Sequence, residues 1–229
     1  MANYENGRET KAKIIEACKD LFYYKGFNQT TFKEISEVAG VNQGLIIYYF
    51  KNKNVLARTV FQSVMTRLME QIHEWFPNQE NLVRYFISDY LYFRMLYEDE
   101  NFRRFVETCC SGGILNKDSE SSDEGYQKQY DEIIHFMEDD YITDITMRDG
   151  LIAVYEGMKD NYSLYICRNH QIMATDVAAT NYITLYCHLL DIPKSTYGGK
   201  MIQAQLLANQ VGVSVYRFDL KMTGRKTVD

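Results

Sequence analysis

Between Thr31 and Leu56 the chain reads T-F-K-E-I-S-E-V-A-G-V-N-Q-G-L-I-I-Y-Y-F-K-N-K-N-V-L, a stretch that calls for three helix starts and two tight turns. Thr31 followed by Glu34 is a capping box, so a helix starts there; Phe32, Ile35, Val38 and Ala39 form its expected buried face. Gly40 is free to take positive φ in the turn that follows, and Asn42 is placed to cap a second, short helix ending near Phe50. Asn52 then caps a third, much longer helix. Two short helices joined by a glycine-containing turn make a helix-turn-helix, whose second helix enters the major groove.

The rest of the chain supports an all-α reading. Its only prolines are Pro77 and Pro193, and long 3.6-residue periodicities lie between the breaks. Ile14, Ile15, Cys18, Leu21 and Phe22 form one stripe of a first helix ending at Gly26, after which Phe27 turns back to the same core. The long helix runs from Asn52 to Phe76 with Val55, Leu56, Val60, Val64, Leu68 and Ile72 inward, and should link head to body. Further helices are expected at 80–98, 101–111, 126–140, 146–168, 174–190 and 195–218, with a polar loop over 112–124 and a frayed tail from Lys221. The division expected is 1–52 as the helix-turn-helix domain and 53–229 as a helical ligand-binding and dimerisation domain.

The three segments K-I-I-E-A-C-K-D-L-F-Y-Y-K-G-F, T-T-F-K-E-I-S-E-V-A and G-V-N-Q-G-L-I-I-Y-Y-F-K-N-K-N-V-L, in this order and spacing, resemble the TetR-type transcriptional regulators. The likeness covers about the first 60 residues. It implies a DNA-reading head and a body with a pocket for a small-molecule effector among its helices. It also implies phosphate contacts from Tyr48, Tyr49 and Lys53, with Thr31 and Lys33 as matching positions on the preceding helix. The sequence departs from the family at Ile47, where an aromatic is usual, and at Leu45, where a small or hydroxylated residue is common.

Read from their own chemistry, the residues of the second helix suit base contact. Gln43 on the first turn can pair bidentately with adenine, while Leu45 and Ile47 offer only apolar contact with thymine methyls. Gly44 permits close approach of backbones, and Asn42 stands beside it. Lys53 lies at a helix N-terminus, where exposed N–H groups favour an anion. Phe50 reads as core.

Charge is divided unevenly. Residues 1–60 hold nine Lys/Arg against six Asp/Glu, a net +3, whereas the remainder is at −9. Phosphate neutralisation is local, so a basic end suffices for duplex binding. With no apolar run long enough to span a membrane, a polar N-terminus and five scattered cysteines, the expected setting is a reducing cytoplasm.

Nineteen tyrosines, twelve phenylalanines and ten methionines suit a pocket for an apolar or aromatic ligand, with Tyr90, Phe93, Met95, Phe105, Phe136, Met137 and Tyr155 as candidate lining. Core packing is the competing account of the same side chains. Glu132-x-x-His135 is half of a di-iron motif without its second copy, and Cys109-Cys110 lacks a base, so no metal, cofactor or catalytic site is expected.

One recognition helix reads only a few base pairs, so specific binding requires a homodimer on a palindromic duplex. The faces Ala178, Tyr182, Leu185, Leu189 and Met201, Gln205, Ala208, Val211, Val215 are the expected dimer surface. The function expected is a ligand-responsive repressor released by a small apolar or aromatic molecule. The alternative is a chromosome-organising or division-coupling factor that uses the same head on many sites.

Overall fold

The computed structural model describes residues 2–115 and 145–224, with backbone alone for residues 2–6, 145–153, 155 and 156. The helices in chain order are α1 (Ala2–Tyr24), α2 (Phe32–Ala39), α3 (Gln43–Phe50), α4 (Lys53–Trp75), α5 (Asn81–Glu98), α6 (Glu100–Ser111), α7 (Ile145–Asn169), α8 (Thr175–Leu189) and α9 (Lys194–Ala208). A two-stranded antiparallel hairpin closes the described chain: β1 (Val211–Ser214) pairs with β2 (Lys221–Gly224) across a short 3-10 turn at Tyr216–Phe218. The expected helix at 126–140, the loop at 112–124 beyond Leu115, the Glu132/His135 pair, Phe136 and Met137 lie outside the described residues, as does the side chain of Tyr155.

Helices α1 to α3 form the head around Ile14, Cys18, Phe22, Ile35, Ile46 and Phe50, all buried. α4 runs from the head into the body, burying Leu56, Val60, Val64, Leu68 and Ile72 as its spacing predicted. Its Asn52 cap accepts from the Val55 N–H at 3.0 Å, satisfying one of the amides a helix start leaves unpaired. The body is organised on α5, which is buried on nearly every face and packs against α4, α6, α7, α8, α9 and the hairpin.

Three expectations are corrected. Val38 is 56% exposed. The inward stripe of α2 is Phe32, Ile35 and Ala39, and at 100° per residue Val38 falls to one side of it. The last helix stops at Ala208 rather than 218, because V-G-V-S-V alternates with a period of two. Val211, Val213 and Val215 face inward while Gly212 and Ser214 face out, which is strand patterning. Finally, Ala178 and Tyr182 of α8 and Ala208 of α9 face their own chain's core. Tyr182 meets Phe93 with ring centroids 5.5 Å apart, and Tyr186 meets Phe86 at 6.1 Å. That part of α8 is spent on α5, while Leu185 of the expected face stays outward, joined by Val177 on α8 and by Ile202 and Leu206 on α9, all about half exposed.

The hairpin is held by side chains reaching its backbone. The Gln71 amide donates to the Leu220 carbonyl at 3.1 Å and accepts from the Met222 N–H at 2.7 Å. Arg94 donates to the carbonyls of Ala208 and Val211, both at 2.9 Å. Each is a charged or amide group paired where water is scarce, where an unpaired partner is costly.

Asp89, on α5, is 3% exposed, and burial pushes its carboxyl up to about 6 against the opposing pull of the Lys159 charge and a Tyr186 hydrogen bond. Its ordinary value is 3.8, so between that and about 6 the unfolded chain loses the proton first and stability falls as pH rises. Asp89→Asn should remove this slope. In urea unfolding at pH 4.5 and 6.5, the wild type should lose up to about 2 kcal/mol more than the variant between the two pH values.

Candidate nucleic-acid interface

The two short helices are fixed by their caps. The Thr31 hydroxyl accepts from the Glu34 N–H at 3.3 Å, while the Glu34 carboxylate accepts from the Thr31 N–H and hydroxyl, both at 2.9 Å. Lys25 pairs with the same carboxylate. The Lys25 ammonium, and after it the Thr31 bonds, hold Glu34 down to about 2. Gly40 ends α2 at φ 64°, and the Ser36 hydroxyl donates to the Val41 carbonyl at 2.6 Å, closing the turn. The Asn42 side chain then accepts from the Gly44 N–H at 2.7 Å. A Cβ at position 44 would sit 3.2 Å from that capping oxygen, so glycine here leaves room for the cap as well as for a close neighbour.

α3 presents two faces. Ile46 and Phe50 are buried, as Phe50 was expected to be, and pin the helix to α1 and α2. Gln43, Gly44, Leu45, Ile47 and Tyr48 are exposed, with Ile47 at 51% and Tyr48 at 77%. Exposed isoleucine, leucine and tyrosine on one short helix are costly to leave in water and suit a partner that covers them. Thr31, Lys33 and Asn42 are exposed as well; the Lys33 side chain is 76% exposed and loosely paired with Glu37 at 3.9 Å.

Two predicted phosphate contacts are differently placed. The Lys53 ammonium is tucked into the 27–30 turn, donating to the carbonyls of Phe27 at 2.8 Å and Thr30 at 2.9 Å, and it lies 4.4 Å from the centre of the Phe27 ring. Burial lowers its affinity for its proton. This lysine pins the start of α2 to the start of α4, so its donors serve the head's own frame. Tyr49 is half-buried, with Lys11 5.5 Å from its ring centre and Tyr48 stacked edge-on at 5.1 Å. Lys11 is a residue that sequence reasoning missed. The stripe used to place α1 begins at Ile14, whereas α1 begins at Ala2 and carries exposed Arg8, Lys11 and Lys13, of which Lys11 lies over the Tyr49 ring of α3.

Of the candidate effector residues, the four whose side chains are described, Tyr90, Phe93, Met95 and Phe105, are buried. Tyr90 donates or accepts with the Thr180 hydroxyl at 2.8 Å, Phe93 sits among Tyr92, Tyr162 and Tyr182, and Met95 is 1% exposed. Phe105 is not between body helices at all: it stacks on Phe22 of the head at 5.8 Å and meets Phe218 of the hairpin at 4.7 Å. A groove of about 460 Å³ does open at the junction of α1, α4 and the hairpin turn, walled by polar groups such as Lys19, Gln62, Thr66 and Arg67.

The two capped short helices, the second exposed along one side with basic residues beside it, have the geometry of a helix-turn-helix head on a helical body. Residues 14–60 match the family described as bacterial regulatory proteins, tetR family. Over 60 residues the chain is 42% identical to the HTH-type transcriptional regulator TtgR of Pseudomonas putida, covering 26% of this chain and 29% of that one. It is 33% identical over 76 residues to the HTH-type transcriptional repressor BepR of Brucella suis biovar 1, covering 33% and 32%. The chain thus matches less than a third of the length of these curated relatives. Among solved structures, the fatty acid degradation regulator FadR of Bacillus halodurans aligns over 80% of this chain and 99% of its own at 19% identity and a TM-score of 0.47.

Removing the cap should be felt locally. Thr31→Ala should lower stability by about 1 kcal/mol in urea unfolding. Because Glu34 is depressed from 4.5 to about 2, its contribution is present above pH 4.5 and lost as pH falls toward 2. Glu34→Gln should accordingly flatten the loss of α2 amide protection over that window, read by hydrogen exchange.

Proposed function

We propose that the chain is a DNA-binding transcriptional regulator that acts as a homodimer on a palindromic duplex and is released from it by a small molecule bound in the body. The observation that carries this reading is α3, capped by Asn42, with Gln43, Leu45, Ile47 and Tyr48 standing clear of the protein on one side. Gln43 on the first turn reaches base edges, where its amide pairs with adenine, and Leu45 and Ile47 meet thymine methyls. Tyr48, Lys33, Lys11 and the Thr31 hydroxyl meet phosphates and set the register. Lys53 acts indirectly, by holding the head's turn in place. The net +3 of the first 60 residues supplies the sequence-independent attraction.

Dimerisation uses the outward faces of α8 and α9. Val177, Leu185, Ile202 and Leu206 are 48 to 62% exposed, and Gly199 leaves open space on the same side of α9. Two copies of this pair would bury them as a four-helix bundle. The effector part of the reading rests on the resemblance of the head. An effector acts here by favouring a population in which the two heads no longer match successive major grooves.

Selection of duplexes from a random pool, followed by binding at several salt concentrations, tests the reading. A palindromic sequence bound by two chains is expected, and enrichment of no sequence over the pool would overturn it. On the selected duplex, Gln43→Ala should cost about 1–3 kcal/mol and relax preference at one base pair. Tyr48→Ala should weaken all duplexes alike. Occupancy at dozens of scattered chromosomal sites with no effector response would favour the chromosome-organising alternative. Leu185→Glu combined with Leu206→Glu should yield monomers in light scattering, with the helical circular dichroism retained.

A further inference from the structure

The end of α1 is gripped from two sides. On one side is the body itself: the Tyr23 hydroxyl donates to the Asp99 carboxylate at 2.7 Å, and Arg104 donates to the Tyr23 carbonyl at 2.7 Å. On the other is the turn of the hairpin. Asp219 pairs with Lys19 at 2.9 Å, Arg217 pairs with Asp20, and the Tyr216 and Tyr24 hydroxyls are hydrogen-bonded. Between these contacts Phe218, 2% exposed, meets the rings of Tyr23, Phe102 and Phe105 at 5.7, 6.1 and 4.7 Å. The hairpin turn therefore touches the head at α1 and the body at α6, and its following strand is anchored to α4 through Gln71.

Its backbone is under load. Arg217 has φ 54° and Phe218 φ 62°, two consecutive side-chain-bearing residues in the left-handed region. L-residues avoid that region, and a bulky one stays there only where its surroundings hold it. Here the surroundings are the contacts of Phe218 and the two ion pairs. Each ion pair keeps at least one partner more than a third exposed to water and so adds little holding power; the buried phenyl ring supplies the grip and the charges select the position. The space beneath the turn is not filled: Phe218, Asp219 and Leu220 wall the groove opposite Gln62 and Thr66 of α4, and the buried Gln62 amide nitrogen has no hydrogen-bond partner among the described residues. The turn has room to shift.

We propose that the hairpin turn, through Arg217, Phe218 and Asp219, is a latch that sets the angle of the head on the body and so the half-site spacing that the dimer accepts. This rests on the DNA-binding dimer reading above. α1 packs directly on α2 and α3, so a change in the direction of α1 carries the reading helix with it. These three are positioning residues, remote from DNA.

The test uses the full chain, the wild type's selected duplex, versions with half-sites moved one to three base pairs apart, and a duplex with one half-site. Phe218→Ala should bind the native spacing about tenfold more weakly, bind the altered spacings nearly as well as the native one, and bind the single half-site as the wild type does. Asp20→Arg and Arg217→Asp should each flatten the spacing preference, and the double exchange should restore it, which a loss of folding alone would not. An unchanged spacing profile in Phe218→Ala and in both single exchanges, or an equal loss on the single half-site, would overturn the latch. If the wild type selects no duplex, the DNA-binding reading fails by itself. Hydrogen exchange then decides the latch. Amides of residues 14–24 should exchange at least about fivefold faster in Phe218→Ala while those of α8 do not change, and unchanged rates would refute it.

Discussion

A continuous run of aromatic contacts joins the two halves of this protein. From Phe22 in the head the rings pass to Phe105 at 5.8 Å, to Phe218 at 4.7 Å, to Phe102 at 6.1 Å and to Phe61 at 6.5 Å. They continue through Tyr92, Phe93 and Tyr182 to the core between α5 and α8. Rings of this size dominate the area that a helical protein can remove from water, and they prefer the edge-on and offset arrangements seen here. The high content of tyrosine and phenylalanine thus goes into joining head to body. Had those rings lined a wide empty cavity instead, α1 would have had far less to pack against.

This junction changes how the long helix α4 is understood. On sequence alone α4 is the only connection between the domains, and any signal would travel along it. In the structure α1 is tied to the body a second time, by Asp99 and Arg104 of α6 and by the hairpin turn. The head is held at two points, and its orientation depends on both. A division at residue 52 follows the chain but cuts through a packed interface between α1, α6 and the hairpin.

The reading surface is built by economy of a similar kind. α3 is short, and such a helix is marginal alone. Its ends are fixed by Asn42 and by the turn at Lys51, its inner face by Ile46 and Phe50. Gln43, Gly44, Leu45, Ile47 and Tyr48 are left exposed on it. Lys53, which looks in sequence like another phosphate ligand, is recruited into this frame, because three carbonyls of the 27–30 turn converge beside it and need a donor.

The sequence by itself determined the head: capping boxes, a positive-φ glycine and 3.6-residue stripes act over a few residues, so Thr31, Gly40, Asn42 and Asn52 announce their helices without help from the rest of the chain. It also determined that α4 and α5 are long and inward-facing, since those stripes are regular. What only the tertiary structure decided is where faces and side chains are spent. Tyr182 and Phe93 went to each other, Phe105 went to the head rather than to a ligand, and Lys53 went to backbone carbonyls. The hairpin belongs to the same class. Its alternation over Val211, Val213 and Val215 was present in the sequence but short, and valines four apart also fit a helix. Burial against α4 and α5, together with Gln71 and Arg94 supplying partners for its backbone, decided in favour of strands. Local capping is settled within one turn of helix, whereas the choice among several apolar faces depends on which partner reaches them, and that is a property of the whole fold.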